Sequence, residues 1–126
     1  MRPVYTENAP KAIGPYVQAI ICGELVFTSG QIPICASTGE IIGEDITTQT
    51  QQVMENLSSI VKTSGASMDT IVKTTCYLSS MDDFNEFNTV YASFFQNFPA
   101  RSCIVVRTLP KGVLVEVEAI AKIHAD

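Results

Sequence analysis

Short apolar segments, separated by turn residues, predict five β-strands in this chain. The segments span 17–22, 25–29, 70–78, 102–109 and 113–121. Gly23-Glu24 separates the first two segments and predicts a hairpin, and a short extended piece is expected at 32–35. Pro110-Lys111-Gly112 predicts a turn between the last two segments. The pattern therefore predicts a hairpin at each end of the chain.

Two longer segments have apolar residues at helical spacing. The first helix is expected to begin after Asp45, a typical N-cap residue, and to end at Gly65. Its apolar stripe consists of Ile46, Val53, Met54, Leu57, Ile60 and Val61. The second helix is expected after Ser80 and Asp83, which match a capping box, and Pro99 ends its segment. Its stripe consists of Phe84, Phe87, Asn88, Tyr91, Phe94 and Phe95.

The order of these elements predicts an α+β fold in which two helices pack on one face of a mixed β-sheet. Two helices cannot cover both faces. Nevertheless, the last strand is apolar on both sides, because Val117 and Ala119 point one way whereas Leu114 and Ile120 point the other. A sheet buried on both faces needs a second cover, and another copy of the chain is the simplest one. We therefore expect a homo-oligomer.

Composition and charge limit the possible functions. The chain has 126 residues, 46% hydrophobic and 17% charged, so residues 1–126 are expected to form a single domain without disulfides or metal. The formal net charge of −5 and the lack of a Lys or Arg cluster argue against nucleic-acid binding, because phosphates would be repelled. No apolar run approaches the ~18 residues of a membrane-spanning helix, so no membrane association is expected.

The cysteines and the histidine are not arranged as metal ligands. Cys22, Cys35, Cys76 and Cys103 form no CxxC pair, and His124 is the only histidine. A zinc site and a Ser-His-Asp triad therefore lack residues, so no metal is expected and acid-base chemistry should depend on carboxylates. The first residues lack the apolar stretch of a signal peptide, which favours a reduced, cytoplasmic setting.

Charged residues near the end of the chain are the main candidates for chemistry. Arg101 follows an apolar stretch and precedes a strand, where a guanidinium could bind a carboxylate or phosphate; a structural salt bridge is the alternative. Glu116 and Glu118 are two residues apart, so both lie on the face of the strand that carries Ile120. Partial desolvation there would raise the pKa of a carboxyl group and suit a general base, although a salt bridge between subunits explains the pattern equally well.

Four further positions could line a pocket. Cys103 lies on the same side of its strand as Arg101, but it lacks a histidine partner and is therefore a poor candidate nucleophile. Gly14-Pro15-Tyr16 and Ser29-Gly30-Gln31 could present backbone N–H groups or the Tyr16 ring to a ligand, and ordinary turns explain them equally well. Asn88, the polar residue of the second helical stripe, could equally be a satisfied core amide.

Four segments together resemble the signature segments of the RidA/YjgF family, which is also called endoribonuclease L-PSP. They are NAPKAIGPY at 8–16, TSGQIP at 28–33, PARSC at 99–103 and VEVEAIA at 115–121. Four ordered segments that extend over nearly the whole chain are much more specific than any one short motif.

The resemblance implies a chorismate-mutase-like α+β fold and a homotrimer with pockets between its subunits. It also implies 2-iminobutanoate/2-iminopropanoate deaminase activity, which removes reactive intermediates. Arg101 would bind the carboxylate of a small 2-imino or 2-oxo acid, and Glu116 would activate water. The other substrate-binding residues would be Tyr16, Ser29, Gly30, Asn88 and Cys103. An imine is already electrophilic, so no cofactor is expected.

Three other functions are compatible with the same residues. Family members are also labelled endoribonucleases or translation inhibitors, a role for which the net charge of −5 is unfavourable. A non-catalytic binder of small 2-oxo acids would use the same arginine. A hydrolase of another small substrate, such as a carbamate, is the third alternative.

The predicted second hairpin also predicts where the two catalytic candidates lie. If Leu109 pairs with Val113, Arg101 lies opposite Ala121, which is ~16 Å along the strand from Glu116. This gap is long for a three- or four-carbon acid. We therefore expect adjacent subunits to contribute residues to one site.

Overall fold

The computed structural model describes residues 1–124, which form a six-stranded β-sheet and two α-helices. The strands are β1 (Arg2–Val4), β2 (Ala19–Cys22), β3 (Leu25–Thr28), β4 (Ile71–Leu78), β5 (Ala100–Val105) and β6 (Val115–Lys122). The helices are α1 (Ile46–Thr63) and α2 (Phe84–Ala92). The strand order is β1-β2-β3-β6-β4-β5, and only β4 and β5 are parallel. The predicted α+β class with a mixed sheet is confirmed.

The first hairpin forms as predicted, and an additional strand extends its edge. β2 and β3 are joined at Gly23, whose φ of 62° suits glycine. β1 pairs with β2 and was not predicted, since three residues are too few to show an alternation. The extended piece expected at 32–35 is not a strand; only isolated bridges form near it, at Gln31 and Ile34.

Helix α1 agrees with its sequence pattern. The Asp45 side chain accepts a hydrogen bond from Thr48 N–H at 3.0 Å and caps the first turn. Gly65 follows the last turn with a φ of 90°, a conformation that favours glycine. The whole predicted apolar stripe is buried against the sheet, and burying one side chain the size of Leu57 contributes roughly 1.5–3 kcal/mol.

Helix α2 begins differently from the prediction. Ser80 Oγ accepts from Asp82 N–H at 3.1 Å, and a short 3₁₀ turn over Met81–Asp83 precedes the helix. The Asp83 side chain makes no capping bond, so the predicted capping box is wrong. The 3₁₀ turn moves the helix start to Phe84, beyond the reach of the Ser80 side chain.

The second predicted hairpin, between the last two strands, is wrong. β5 pairs in parallel with β4, and β4 lies between β5 and β6. The chain passes from β4 to β5 through α2, since a parallel pair needs a crossover. It then crosses the end of β4, where Val106 N–H donates to Leu78 O at 2.9 Å and Ser79 N–H donates to Leu114 O at 3.1 Å. Pro110–Gly112 forms a 3₁₀ turn within this crossing.

The two faces of the sheet have different surroundings. Alternate strand residues are buried on the face that the helices cover: Val26, Thr74, Cys76, Leu78, Val115, Val117, Ala119 and Ala121. The opposite face, here called the open face, carries the cross-strand neighbours Ile20, Phe27 and Ile120, and Phe27 is 42% exposed. Glu116 and Glu118 lie on the same open face. Apolar surface of this kind is typical of an interface.

Across residues 1–124, no helix has the length and apolar character needed to cross a membrane.

Candidate functional site

Arg101 lies on β5, and its guanidinium packs against side chains of α2. Its Nη1 donates to Asn88 Oδ1 at 2.7 Å, and its Cζ lies 5.0 Å from the centre of the Tyr91 ring and 5.7 Å from that of Phe84. The neutral amide and the aromatic rings orient the guanidinium without neutralising its charge. Arg101 is exposed, so its remaining N–H groups can bind an anion.

A cleft of about 340 Å³ lies beside the guanidinium. Its walls are formed by Asn88, Tyr91, Ala92, Phe98, Pro99 and Arg101. The Tyr91 hydroxyl lies 2.6 Å from that of Thr74, and burial raises the pKa of Tyr91 to about 12, so the ring carries no charge near neutral pH. A mostly apolar cleft with one oriented cation suits a small ligand that has an apolar body and a carboxylate.

Cys103 is two residues from Arg101 on the same side of β5, and Cys76 is its register partner on β4. The Cys76 thiol has the largest influence and, together with the charge of Arg101, lowers the pKa of Cys103 to about 7 although burial opposes the change. A thiol whose pKa is lowered is deprotonated more readily than an ordinary cysteine and is more reactive. We call Arg101, Asn88, Tyr91 and Cys103 the arginine cluster.

Glu116 lies on β6 and points to the open face of the sheet. Burial, and secondarily the charge of Glu118, raise the pKa of the Glu116 carboxyl above its ordinary value of 4.5. Glu118 is oriented differently, since the Tyr77 hydroxyl donates to its Oε1 at 2.8 Å. A carboxylate whose pKa is raised is a better proton acceptor near neutral pH than an exposed one.

Gly30 lies directly against the Glu116 carboxylate. A Cβ at this position would overlap Glu116 Oε2, so only glycine leaves room for the carboxylate in this orientation. Two backbone hydrogen bonds between Gln31 and Val117 hold the Gly30 backbone next to β6. The Gln31 N–H donates to Val117 O at 2.9 Å, and the Gln31 carbonyl accepts from Val117 N–H at 3.1 Å. Asn56 of α1 supports the following loop by donating to Ile32 O at 3.1 Å. We call Gly30, Tyr77, Glu116 and Glu118 the glutamate cluster.

Ser29 and Tyr16 lie together at a shallow cleft on the open face. The Ser29 hydroxyl donates to Val17 O at 2.6 Å, so it already has an acceptor within the protein. Tyr16 is 51% exposed and its ring is free to contact another molecule. Of the residues expected in one pocket, the chain therefore groups Asn88, Arg101 and Cys103 in one place and Ser29 and Tyr16 in another.

The arginine and glutamate clusters lie on opposite faces of the sheet. Arg101 packs on α2, above the helix-covered face, whereas Glu116 alternates with buried valines and points to the open face. Arg101 is the register partner of Thr74 on β4 and not of Ala121 on β6. The predicted separation of Arg101 and Glu116 along a hairpin is therefore wrong. One chain therefore does not present both side chains to one small ligand.

The structure also identifies residues that the sequence did not indicate as part of a site. Tyr91 was expected only in the apolar stripe of its helix, yet it packs against Arg101. Tyr77 was not singled out, because its contact with Glu118 joins two strands that are far apart in the sequence. Phe98 is 71% exposed beside the cleft, and its position three residues before Arg101 was the available sequence signal.

Comparison with known proteins gives a consistent result. The model of the family described as Endoribonuclease L-PSP matches residues 6–123. The chain is 49% identical to the "Putative regulator AldR" of Lactococcus lactis, over 99% of this chain and 100% of the relative. It is 47% identical to the 2-iminobutanoate/2-iminopropanoate deaminase of Salmonella typhimurium, over 95% of this chain and 96% of the relative.

Solved structures agree with the sequence comparisons. The crystal structure of Escherichia coli TdcF with bound serine superposes with a TM-score of 0.95 at 44% identity, and the match covers 98% of this chain and 100% of that one. The comparison therefore extends over essentially all of both chains.

Proposed function

The chain belongs to the endoribonuclease L-PSP family, also called RidA/YjgF, and on this premise we propose that it hydrolyses 2-imino acids to 2-oxo acids and ammonia. The observation that carries the proposal is the guanidinium of Arg101, which a neutral amide orients beside an apolar cleft. 2-Iminopropanoate and 2-iminobutanoate have a carboxylate for this cation and a short alkyl group for the cleft. The deaminase name of the Salmonella relative supports the same assignment.

Glu116 is proposed as the general base. In the protonated imine, its carboxylate accepts a proton from water as the water oxygen forms a bond to the imine carbon, and the C=N π electrons pass to nitrogen to give a neutral carbinolamine. The same carboxyl group then returns the proton to the nitrogen. The C–N bond breaks as the carbinolamine hydroxyl gives its proton to the carboxylate, and ammonia and a 2-oxo acid are released. The raised pKa of Glu116 suits both steps, because the group must accept and then donate one proton.

The proposed site requires more than one copy of the chain. Arg101 and Glu116 lie on opposite faces of the sheet, so a site that uses both must join the arginine cluster of one protomer to the glutamate cluster of the next. Two different surfaces that meet in this way form a head-to-tail interface, which closes into a ring. We propose a homotrimer, in which this contact also covers Phe27 and the rest of the open face.

Ammonia release from freshly generated 2-aminoacrylate, which tautomerises to 2-iminopropanoate, tests the reaction. We expect the protein to accelerate release above the rate in buffer, and Arg101→Ala to abolish the acceleration. The deaminase assignment would be rejected by an unchanged rate together with stoichiometric binding of a 2-oxo acid. That result would instead support a non-catalytic ligand-binding protein, and the name of the Lactococcus relative is that of a regulator.

Mixing two inactive variants tests the shared site. Every trimer that contains both Arg101→Ala and Glu116→Gln protomers has one junction with an intact arginine and an intact glutamate. Random reassembly at equal amounts should therefore restore roughly a quarter of the wild-type activity. No recovery in trimers verified as mixed by mass spectrometry would mean that each site draws both residues from one chain.

A further inference from the structure

Cys76 and Cys103 are nearest neighbours on adjacent parallel strands. They are register partners in the β4–β5 pair, and both belong to the set of free thiols. Adjacent strands lie ~4.8 Å apart, which is within the ~4.4–6.8 Å separation of Cα atoms that a disulfide spans. The backbone therefore already holds the two residues at bonding separation.

The two thiols differ in exposure and in acidity. Cys76 is fully buried, and its pKa is raised, mainly by its interaction with Cys103 and then by burial. Cys103 is partly exposed and its pKa is lowered to about 7. A partly exposed thiolate beside a buried thiol is the arrangement in which the first sulfur reacts with an oxidant and the second resolves the product.

We propose that Cys103 and Cys76 form a reversible intramolecular disulfide when the protein meets a peroxide. The small Cα separation is near the lower limit for a disulfide, so the bond should be strained and easily reduced. This property distinguishes it from a stabilising disulfide.

The proposed oxidation balances with hydrogen peroxide as the oxidant. The Cys103 thiolate attacks one peroxide oxygen, the O–O bond breaks, and the released hydroxide takes a proton, giving a sulfenic acid and water. The Cys76 sulfur then attacks the sulfenic sulfur and displaces hydroxide, which takes the Cys76 proton and leaves as water. In total, two thiols and one peroxide give one disulfide and two waters. Loss of the Cys103 negative charge in the first step makes Cys76 easier to deprotonate in the second.

The disulfide would change the arginine cluster. It directs the Cys103 sulfur towards the buried Cys76 and removes a negative charge two residues from Arg101. A higher affinity for a small carboxylate is expected, because a thiolate that repels an anion is lost beside Arg101, and this consequence rests on the proposed function. Formation of the disulfide does not depend on that function, so it can be tested by the mass of the protein without measuring catalytic turnover.

Intact mass spectrometry and peptide mapping test the proposal on the wild-type protein. After mild peroxide treatment we expect the loss of two hydrogen atoms, a linked peptide pair containing Cys76 and Cys103, and full reversal by dithiothreitol. Oxygen addition at Cys103 without a linked pair, or a disulfide between two chains, would overturn the proposal.

Cysteine variants provide the controls. In Cys76→Val, Cys103 should gain oxygen and form an adduct with a sulfenic-acid trap such as dimedone. Cys76→Ala repeats the test should valine fit the buried position poorly. The double variant Cys22→Ser, Cys35→Ser should still lose two hydrogen atoms, although the pKa of Cys35 is also lowered to about 7 by its hydrogen bonds to Ser37 and Thr38. A loss of two hydrogen atoms that persists without Cys76, or disappears in the double variant, would contradict the assignment.

Discussion

The arginine cluster and the glutamate cluster are prepared for a ligand to different degrees. In the arginine cluster, Asn88 and the Tyr91 ring hold the guanidinium beside a cleft within one chain. In the glutamate cluster, the Glu116 carboxylate lies against Gly30, and its acidic neighbour Glu118 opposes its ionisation. In the proposed site, the arginine cluster would hold the carboxylate through contacts within one chain, whereas the glutamate cluster would depend on a neighbouring protomer to bury it further.

This difference suggests a division of labour in the proposed reaction. Binding depends on a cation whose position is fixed by contacts within the protomer. Proton transfer depends on a carboxylate whose pKa is set by burial, which a neighbouring protomer would increase. Substitutions in the arginine cluster should therefore affect both KM and kcat, whereas substitutions in the glutamate cluster should affect mainly kcat.

The largest effect is expected for Arg101→Ala, which removes the cation from the cleft. We expect kcat/KM to fall by about 10³-fold, with kcat and KM both affected, because the carboxylate anchor also sets the direction of attack. Steady-state ammonia release measures both constants. Arg101→Lys is the matched control: it keeps the charge but loses the planar fork, so it should recover only part of the loss. Full activity in the alanine variant would show that binding occurs elsewhere.

A somewhat smaller effect is expected for Glu116→Gln. The amide has the same shape but cannot accept a proton from water, so kcat should fall by about 10²–10³-fold. Binding of a 2-oxo acid, measured by calorimetry, should remain within about twofold of the wild type. A loss of 2-oxo-acid binding as large as that in Arg101→Ala would mean that Glu116 also binds the ligand and that the two clusters do not differ in role.

Local sequence patterns predicted most of the fold. The cap at Asp45, the glycine after α1 and the first hairpin depend on neighbouring residues and were all expected. The pairing of β5 was not, because the turn-like residues Pro110-Lys111-Gly112 occur in a crossing connection as readily as in a hairpin. Strand order depends on contacts between residues far apart in the sequence, and periodicity does not report them.

The same limit applies to the candidate site. Arg101 and Glu116 were singled out from residue type, strand position and family resemblance, and their roles stay predictions. The contact of Arg101 with α2 follows from the pairing of β5 with β4, which the wrong hairpin did not predict. The contact of Gly30 with Glu116 was not foreseeable, because it depends on the Gln31 bridge to β6.

An intermediate effect is expected for Gly30→Ala. The added Cβ would overlap Glu116 Oε2 and displace the carboxylate, so kcat should fall by about tenfold while KM changes little. Gly39→Ala is the control: nothing lies near its added Cβ, and its φ of 76° strains the backbone far from either cluster. A loss of kcat in both variants would indicate a general effect of destabilisation and not a displaced base.

The smallest and most specific effect is expected for Glu118→Gln, measured as the pH dependence of kcat/KM. Glu116 must be ionised to act as a base, so activity should fall as the pH decreases through its pKa. The negative charge of Glu118 raises that pKa, and a neutral glutamine removes this influence. The acid limb should therefore move to lower pH, with little change in the maximal rate.

Tyr77→Phe separates the charge of Glu118 from its position. Phenylalanine removes the hydroxyl that donates to Glu118 Oε1 but leaves the Glu118 side chain itself unchanged. The acid limb should then stay close to that of the wild type, in contrast to Glu118→Gln. Because burial is the first cause of the raised pKa, the glutamine variant should keep its acid limb above that expected for an exposed carboxylate. The acid limb of Glu118→Gln could instead move to higher pH, or the acid limbs of Glu118→Gln and Tyr77→Phe could move equally. Either result would show that the charge of Glu118 does not control the ionisation of Glu116.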